Sequence, residues 1–214
     1  MKTNPFSDTF EFLMAGTWPI YVLWMLLLSG AAVALYNLRR SPEQRTAQHA
    51  WQWIARLIMG AMWWQQSLWK LPPYYTDNPG VEDSGLRHWV LEMVNNAAFG
   101  LQSSFVQKVV LPHFNLFAPQ VYAIEVLIAA SLMLGLFTRL GAALGALMAI
   151  NLWLGLYRAS YEWPWTYFFM IVVMANFAVF RAGRSLGIDA IITNRLQSKD
   201  KKSGLAFRIL TLVT

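Results

Sequence analysis

Residues Pro119 to Ala142 read PQVYAIEVLIAASLMLGLFTRLGA, an apolar run that holds one carboxylate, Glu125, and closes on Thr138-Arg139. At a helical rise of about 1.5 Å per residue, Pro119 to Phe137 approaches the ~30 Å hydrocarbon thickness of a bilayer. Glu125 then lies roughly two turns below one surface. An ionisable group at that depth costs on the order of a few kcal/mol unless it is paired or protonated, so it calls for a partner or a chemical role. The plainer alternative is a Glu satisfied by a neighbouring helix for packing alone.

Composition agrees with a membrane setting. Of 214 residues, 57% are hydrophobic and only 13% charged, with a mean hydropathy of +0.38. A soluble domain carries about a quarter charged residues, so the sequence reads as an all-α integral membrane protein. The net charge of +6 comes from cations at the ends of apolar runs, which argues for a lipid bilayer and against nucleic acid as the partner. There is no cysteine, which leaves no disulfide, thiolate zinc site, iron–sulfur ligation or cysteine nucleophile. The opening MKTNPFSDTFEF has no basic n-region and carries Asp8 and Glu11, so no cleavable signal peptide is expected there.

Five transmembrane helices are expected. The first lies near Trp18 to Asn37, with Pro19 tolerable in its first turn. A polar link, Asn37 to Gln48, follows. The second runs from about Ala50 to Lys70, with only thirteen uncharged residues between Arg56 and Lys70, so both cations are expected to snorkel toward opposite surfaces. The third is the opening stretch; the fourth and fifth are Leu140 to Tyr157 and Trp163 to Phe180. Gly141 and Gly145 allow close helix approach in the fourth. Residues 1–48 thus form an N-terminal helix and link, 49–189 a four-helix bundle with an inserted segment at 72–118, and 190–214 a basic tail.

If the Asn37–Gln48 link is cytoplasmic, twelve of the 17 basic residues fall on that side and five (Lys2, Lys70, Arg87, Lys108 and Arg158) on the other. This positive-inside bias puts the N-terminus outside and the C-terminus in the cytoplasm, in a bacterial or archaeal inner membrane. The insert would then be external. Its turn-rich YYTDNPGVEDSG precedes two helical patterns, Gly85 to Ala97 with Ser84 as its cap and Gly100 to Leu111. Leu86, Val90, Met93, Val94 and Ala97 give the first an apolar face, suited to cap the mouth of the bundle or lie on its surface. In the tail, a basic link precedes a short apolar end suited to the inner leaflet or a partner helix.

Helix direction places several polar groups at the depth of Glu125. Gln66 and Lys70 share a face of the second span, and Asn151 and Arg158 nearly eclipse on the fourth. Lys70 or Arg158 could neutralise Glu125. Trp63, Trp64, Trp69, Tyr74, Tyr75, Tyr157, Trp163 and Trp165 stand near that level. An interfacial belt accounts for most of these aromatics; the sharper reading is an aromatic-walled cleft for a flat lipophilic ligand, with Glu125 and a cation at its polar end. No two histidines face each other on spanning helices, so neither haem nor metal ligation is indicated.

Three segments resemble a known family, the DoxX-like membrane proteins. Arg56 to Leu71, RLIMGAMWWQQSLWKL, is similar to their opening helix. Glu125 to Ala142, with its Glu, Gly and closing Thr-Arg, resembles their second helix. RAGRSLGID, Arg181 to Asp189, resembles their closing Gly-Arg-x-Leu-x-x-Asp signature. WPW at Trp163 to Trp165 and LPHFNLFAP at Leu111 to Pro119 lean toward the DoxD branch, the small subunit of thiosulfate:quinone oxidoreductase. The resemblance covers Arg56 to Asp189. It implies a DoxX-like four-helix bundle of spans two to five, with the first helix as an addition. It also implies an oxidoreductase subunit that delivers electrons to a membrane quinone. Glu125, Lys70 and Arg158 would then manage proton and charge, and Gln66, Trp69, Asn151, Tyr157 and Trp163 would border the quinone. Without cysteine, a sulfur donor would have to be handled by a second subunit or a bound cofactor. The other class of function is a non-catalytic accessory or docking subunit of a larger respiratory or photosynthetic complex.

Overall fold

The computed structural model describes residues 4–75, 85–197 and 205–214, and the chain there is helical throughout, with no strand. The Ser84 cap, most of the turn-rich stretch before it and the basic link at 198–204 lie outside the described residues. The helices are α1 (Pro5–Leu13), α2 (Trp18–Arg40), α3 (Ala47–Ser67), α4 (Gly85–Asn96), α5 (Gly100–Phe105), α6 (Phe114–Leu134), α7 (Thr138–Gly155), α8 (Pro164–Val179), α9 (Ile188–Gln197) and α10 (Leu205–Val213). Asn4 caps α1 with Pro5 behind it, a helix start that precedes the first expected span. Pro119, expected to open the third span, lies inside α6, where it removes one intrahelical hydrogen bond without ending the helix.

Among the described residues, three helices are long and apolar enough to cross a membrane: α2, α6 and α7. The chain is thus a membrane-associated, multi-pass protein. The expectation of five such helices is met only in part, for two different reasons. α3 has 21 residues but carries Arg56 and four glutamines. α8 is apolar but has 16 residues, about 24 Å against the ~30 Å of a hydrocarbon core.

α3 lies along α6, α7 lies along α8, and the contact of α6 with α7 joins the two pairs; α2 packs on α6 and α3. Gly30 and Gly60 let α2 and α3 close on α6 at one level. A Cβ at Gly60 would stand 2.7 Å from Met133 Cγ, and one at Gly30 only 2.5 Å from the Met133 carbonyl oxygen. The dry core at this level holds Leu23, Ile128, Leu132 and Met133, with Met174 and Phe177 from α8. Trp64, buried beside them, donates its indole N–H to the Pro19 carbonyl at 3.1 Å, so its polar atom is satisfied. Gly141 and Gly145 both face neighbouring side chains, Ser131 and Met174, as close packing requires.

The end of the bundle that carries residues 41–46, 135–137 and 180–187 is tied by a buried polar network. Asp189 accepts from the backbone N–H groups of Phe137 (2.8 Å) and Thr138 (2.9 Å), which caps α7. Its own N–H donates to the Gly135 carbonyl, and Gly135 takes the left-handed turn (φ 67) that ends α6. Gln44 accepts from the Leu186 N–H at 2.7 Å, and Asn37 donates to the Gly187 carbonyl at 3.0 Å. Arg56 does not snorkel: it is 0% exposed and donates to the carbonyls of Leu132 and Ser185. Backbone oxygens freed by the α6 turn and by the loop after α8 accept from its two terminal nitrogens, which burial keeps away from lipid headgroups. The Thr-Arg and Gly-Arg-Ser-Leu-Gly-Ile-Asp segments therefore meet as one structural clamp.

At the other end, α4 and α5 cover the bundle. α5 runs on through a π-helical segment, Val106–Val110. Leu86, Val90 and Met93 bury against Val106, Phe114, Ala118 and Leu156. The amphipathic face of α4 thus lies on the protein.

Candidate functional site: the cavity around Lys70 and Glu125

Beneath α4 and α5 lies a cavity of about 610 Å³. Its floor is an ion pair. Glu125 projects from the middle of α6, and Lys70 comes from a single 3₁₀ turn, Leu68–Lys70, that tightens the end of α3. Their side chains meet in the one ion pair found among the described residues, at 5% and 2% exposure. Lys70 does not snorkel either, because Glu125 supplies its counter-charge within the protein. The ammonium also stands 4.2 Å from the centre of the Trp69 ring, a cation–π position.

The walls are largely apolar: methionines of α3, α7 and α8, aliphatic residues of α4, and Val106 and Val110 of the π-helical segment. π-helical turns recur at functional sites because they re-aim side chains inward. Polar groups are few. Gln66 accepts from the Trp69 indole at 3.2 Å, and Trp69 packs on Trp89 at 6.3 Å between ring centres. Asn151 accepts from Gln102, which joins α7 to α5. Glu162 accepts from the Tyr167 hydroxyl at 3.0 Å.

Two buried polar atoms on this lining have no partner among the described residues: Glu125 Oε2 and Trp63 Nε1. One is a carboxylate oxygen and the other an obligate donor. Buried polar atoms are nearly always paired, so an unpartnered acceptor and an unpartnered donor on two residues that line the cavity are the groups a ligand there would complement.

Of the residues singled out in the sequence, Glu125, Lys70, Gln66, Trp69 and Asn151 come together at the cavity. Arg158, Tyr157 and Trp163 do not line it. Arg158 is exposed and donates to the Ala98 carbonyl at 3.1 Å. Its backbone N–H meets the Asn96 carbonyl, so it fastens the turn after α7 to the end of α4. The helical wheel that eclipses it with Asn151 fails because α7 ends at Gly155, three residues earlier. Trp163 is the N-cap of α8, 71% exposed, and Tyr157 is half exposed beside Trp153. Lys70 alone neutralises Glu125.

Sequence reasoning placed Glu162 at the depth of Glu125, where it lines the cavity, and missed Trp89 and Tyr167. The signal for Trp89 was present: Leu86, Trp89, Val90 and Met93 share one helical face. Tyr167 had no such pattern, since a non-helical turn separates α7 from α8. In that turn Tyr161 donates to Glu92; desolvation first, then that carboxylate, push its phenol up to about 12. His88 packs edge-on against Trp89 and His113 lies against the Val109 carbonyl, so the two serve different neighbours. Comparison of the chain with family models, with curated proteins and with solved structures returned no match.

Proposed function

We propose that this chain is a membrane subunit of a quinone-linked oxidoreductase and that the Lys70–Glu125 cavity receives the quinone head. The observation that carries the reading is the pair of unpartnered polar atoms, Glu125 Oε2 and Trp63 Nε1, on residues of a largely apolar and aromatic lining. A volume of about 610 Å³ falls within the ~300–1,000 Å³ of small-molecule sites. A bound quinone supplies two-electron redox chemistry, with ring oxygens that accept hydrogen bonds when oxidised and donate them when reduced. Lys70 and Trp63 offer N–H groups to such an oxygen, and Lys70 stabilises negative charge on it. Glu125 exchanges a proton there through Oε2. Trp69 and Trp89 exclude water from one side. The chain has no cysteine for a thiol relay, so electrons from a sulfur donor would enter through a second subunit or a bound cofactor.

In the membrane, α3 and α8 cross beside α2, α6 and α7, giving a four-helix bundle with α2 added. Arg56 is compatible with a spanning α3 because protein carbonyls, not lipid, surround it. The end bearing residues 41–46 faces the cytoplasm of a bacterial or archaeal cell. The test is solvent extraction of the purified chain and measurement of isoprenoid quinone per protein. A content near one per chain, lowered by Trp63→Phe and by the double change Glu125→Gln with Lys70→Gln, supports the proposal. A quinone-free chain that purifies at fixed stoichiometry with a partner supports the accessory-subunit reading instead.

A further inference from the structure

A second cavity, of about 540 Å³, opens at the opposite end of the bundle, between the last three turns of α2 and the first two of α3. Its walls are mainly small or aliphatic: Ala31, Ala34 and Leu35 on α2, Ala50, Trp53 and Ile54 on α3. Each set follows helical spacing, so each presents one face to the notch. Ala31 to Leu38 on one side and Ala47 to Ile54 on the other extend about 10 Å along their helices, most of the ~15 Å of one leaflet's hydrocarbon. Leu35 and Ile54 are exposed, so the notch opens sideways.

Its rim is cationic. Arg45 lines the notch, and its Nε donates to the Leu38 carbonyl at 2.8 Å, which holds the guanidinium at the mouth. Its two terminal nitrogens engage no described residue. Exposed Arg39 and Arg40 end α2 a few residues before it in the chain, and Glu43 is the single acid of the link. Within the notch, Trp53 Nε1 is buried without a partner among the described residues. A helical side chain leans toward its own N-terminus, so the indole covers the turn nearer the rim.

We infer that this notch is a binding site for an anionic phospholipid, its phosphate held at Arg45 and one acyl chain seated between Ala31, Ala34 and Ala50. An ester carbonyl, which lies just below the phosphate in such a lipid, is the acceptor that Trp53 Nε1 lacks. Basic pockets between membrane helices bind anionic headgroups for this reason: the cations supply charge complementarity and the groove supplies apolar contact. This site is independent of the quinone reading, since no residue is shared by the two cavities.

The test is native mass spectrometry of the full chain equilibrated in micelles with equal amounts of dioleoylphosphatidylglycerol and dioleoylphosphatidylcholine. Wild type should retain phosphatidylglycerol in preference. Arg45→Gln, at an exposed position that does not threaten folding, should reduce that retention about fivefold and leave phosphatidylcholine unchanged. Ala50→Phe, which fills the notch, should reduce both lipids, and Lys108→Gln at the far end should change neither. Equal retention of the two lipids by wild type, a preference that survives Arg45→Gln, or undiminished lipid in Ala50→Phe would each overturn the proposal. So would a lipid-free dimer that Ala50→Phe splits, because the notch would then hold a second copy of the chain.

Discussion

Changing Glu125 to Gln removes one charge of a pair in which neither side chain reaches solvent. Lys70 is 5% exposed, so its ammonium would stay buried with only the Trp69 ring, at 4.2 Å, as a favourable electrostatic neighbour. Breaking a buried pair by removing one partner costs about 3–5 kcal/mol. A cation–π contact in a desolvated site returns at most about 2 kcal/mol, and Trp69 already makes it in the wild type, so it does not offset the loss. For a chain of this size roughly 2–4 °C of midpoint accompany each kcal/mol, which puts the expected drop between about 6 and 20 °C. Lys70→Gln should fall in the same range, since it strands the carboxylate instead. The double change leaves two amides able to hydrogen-bond to each other and should recover most of the loss. The assay is thermal unfolding of the four purified proteins in detergent, followed by tryptophan fluorescence and arranged as a double-mutant cycle. A coupling energy of about 2 kcal/mol or more is expected. If either single variant melts within about 2 °C of wild type, a change worth under ~1 kcal/mol, or if the single effects simply add, the pair is not a buried, mutually dependent unit.

Asp189→Ala removes the acceptor of two buried backbone N–H groups at the start of α7 and should lower stability by about 2–5 kcal/mol; thermal melts that match wild type would contradict its role as the cap. Reporter fusions after Gln44 should read cytoplasmic and one after Asn78 external, and the reverse pattern would invert the proposed orientation. A difference absorbance titration between wild type and Tyr161→Phe should show phenolate forming with a midpoint near 12, whereas a midpoint near the ordinary value of about 10 would mean that Tyr161 does not hold its bond to Glu92 in solution.

Much of the candidate site is legible in the sequence, because membrane helices make depth readable along the chain. Once Glu125 is placed two turns into its helix, helix direction alone brings Gln66, Lys70 and Asn151 to its level. That reasoning fails where a helix stops. Arg158 eclipses Asn151 only if α7 continues, and the chain leaves the helix after Gly155. Lys70 has the opposite fate: a 3₁₀ turn carries it further, to the carboxylate. Trp63 is visible as an aromatic, but that its indole N–H has no partner among the described residues depends on every neighbouring side chain.

Apolar runs, the lone intramembrane carboxylate, the cation bias and the amphipathic face of α4 were determined by the sequence itself, since each depends on local order along one chain. The tertiary structure alone decided which cation pairs with Glu125. It also decided that Arg56 ends among the carbonyls of Leu132 and Ser185, and that the Thr-Arg and Gly-Arg-Ser-Leu-Gly-Ile-Asp segments meet as a clamp. These outcomes hang on contacts between residues far apart in the chain, at least 51 positions from Thr138 to Asp189 and 76 from Arg56 to Leu132. Periodicity reports which face of a helix is apolar. It carries no information about the partner that face, or a buried charge on it, will find.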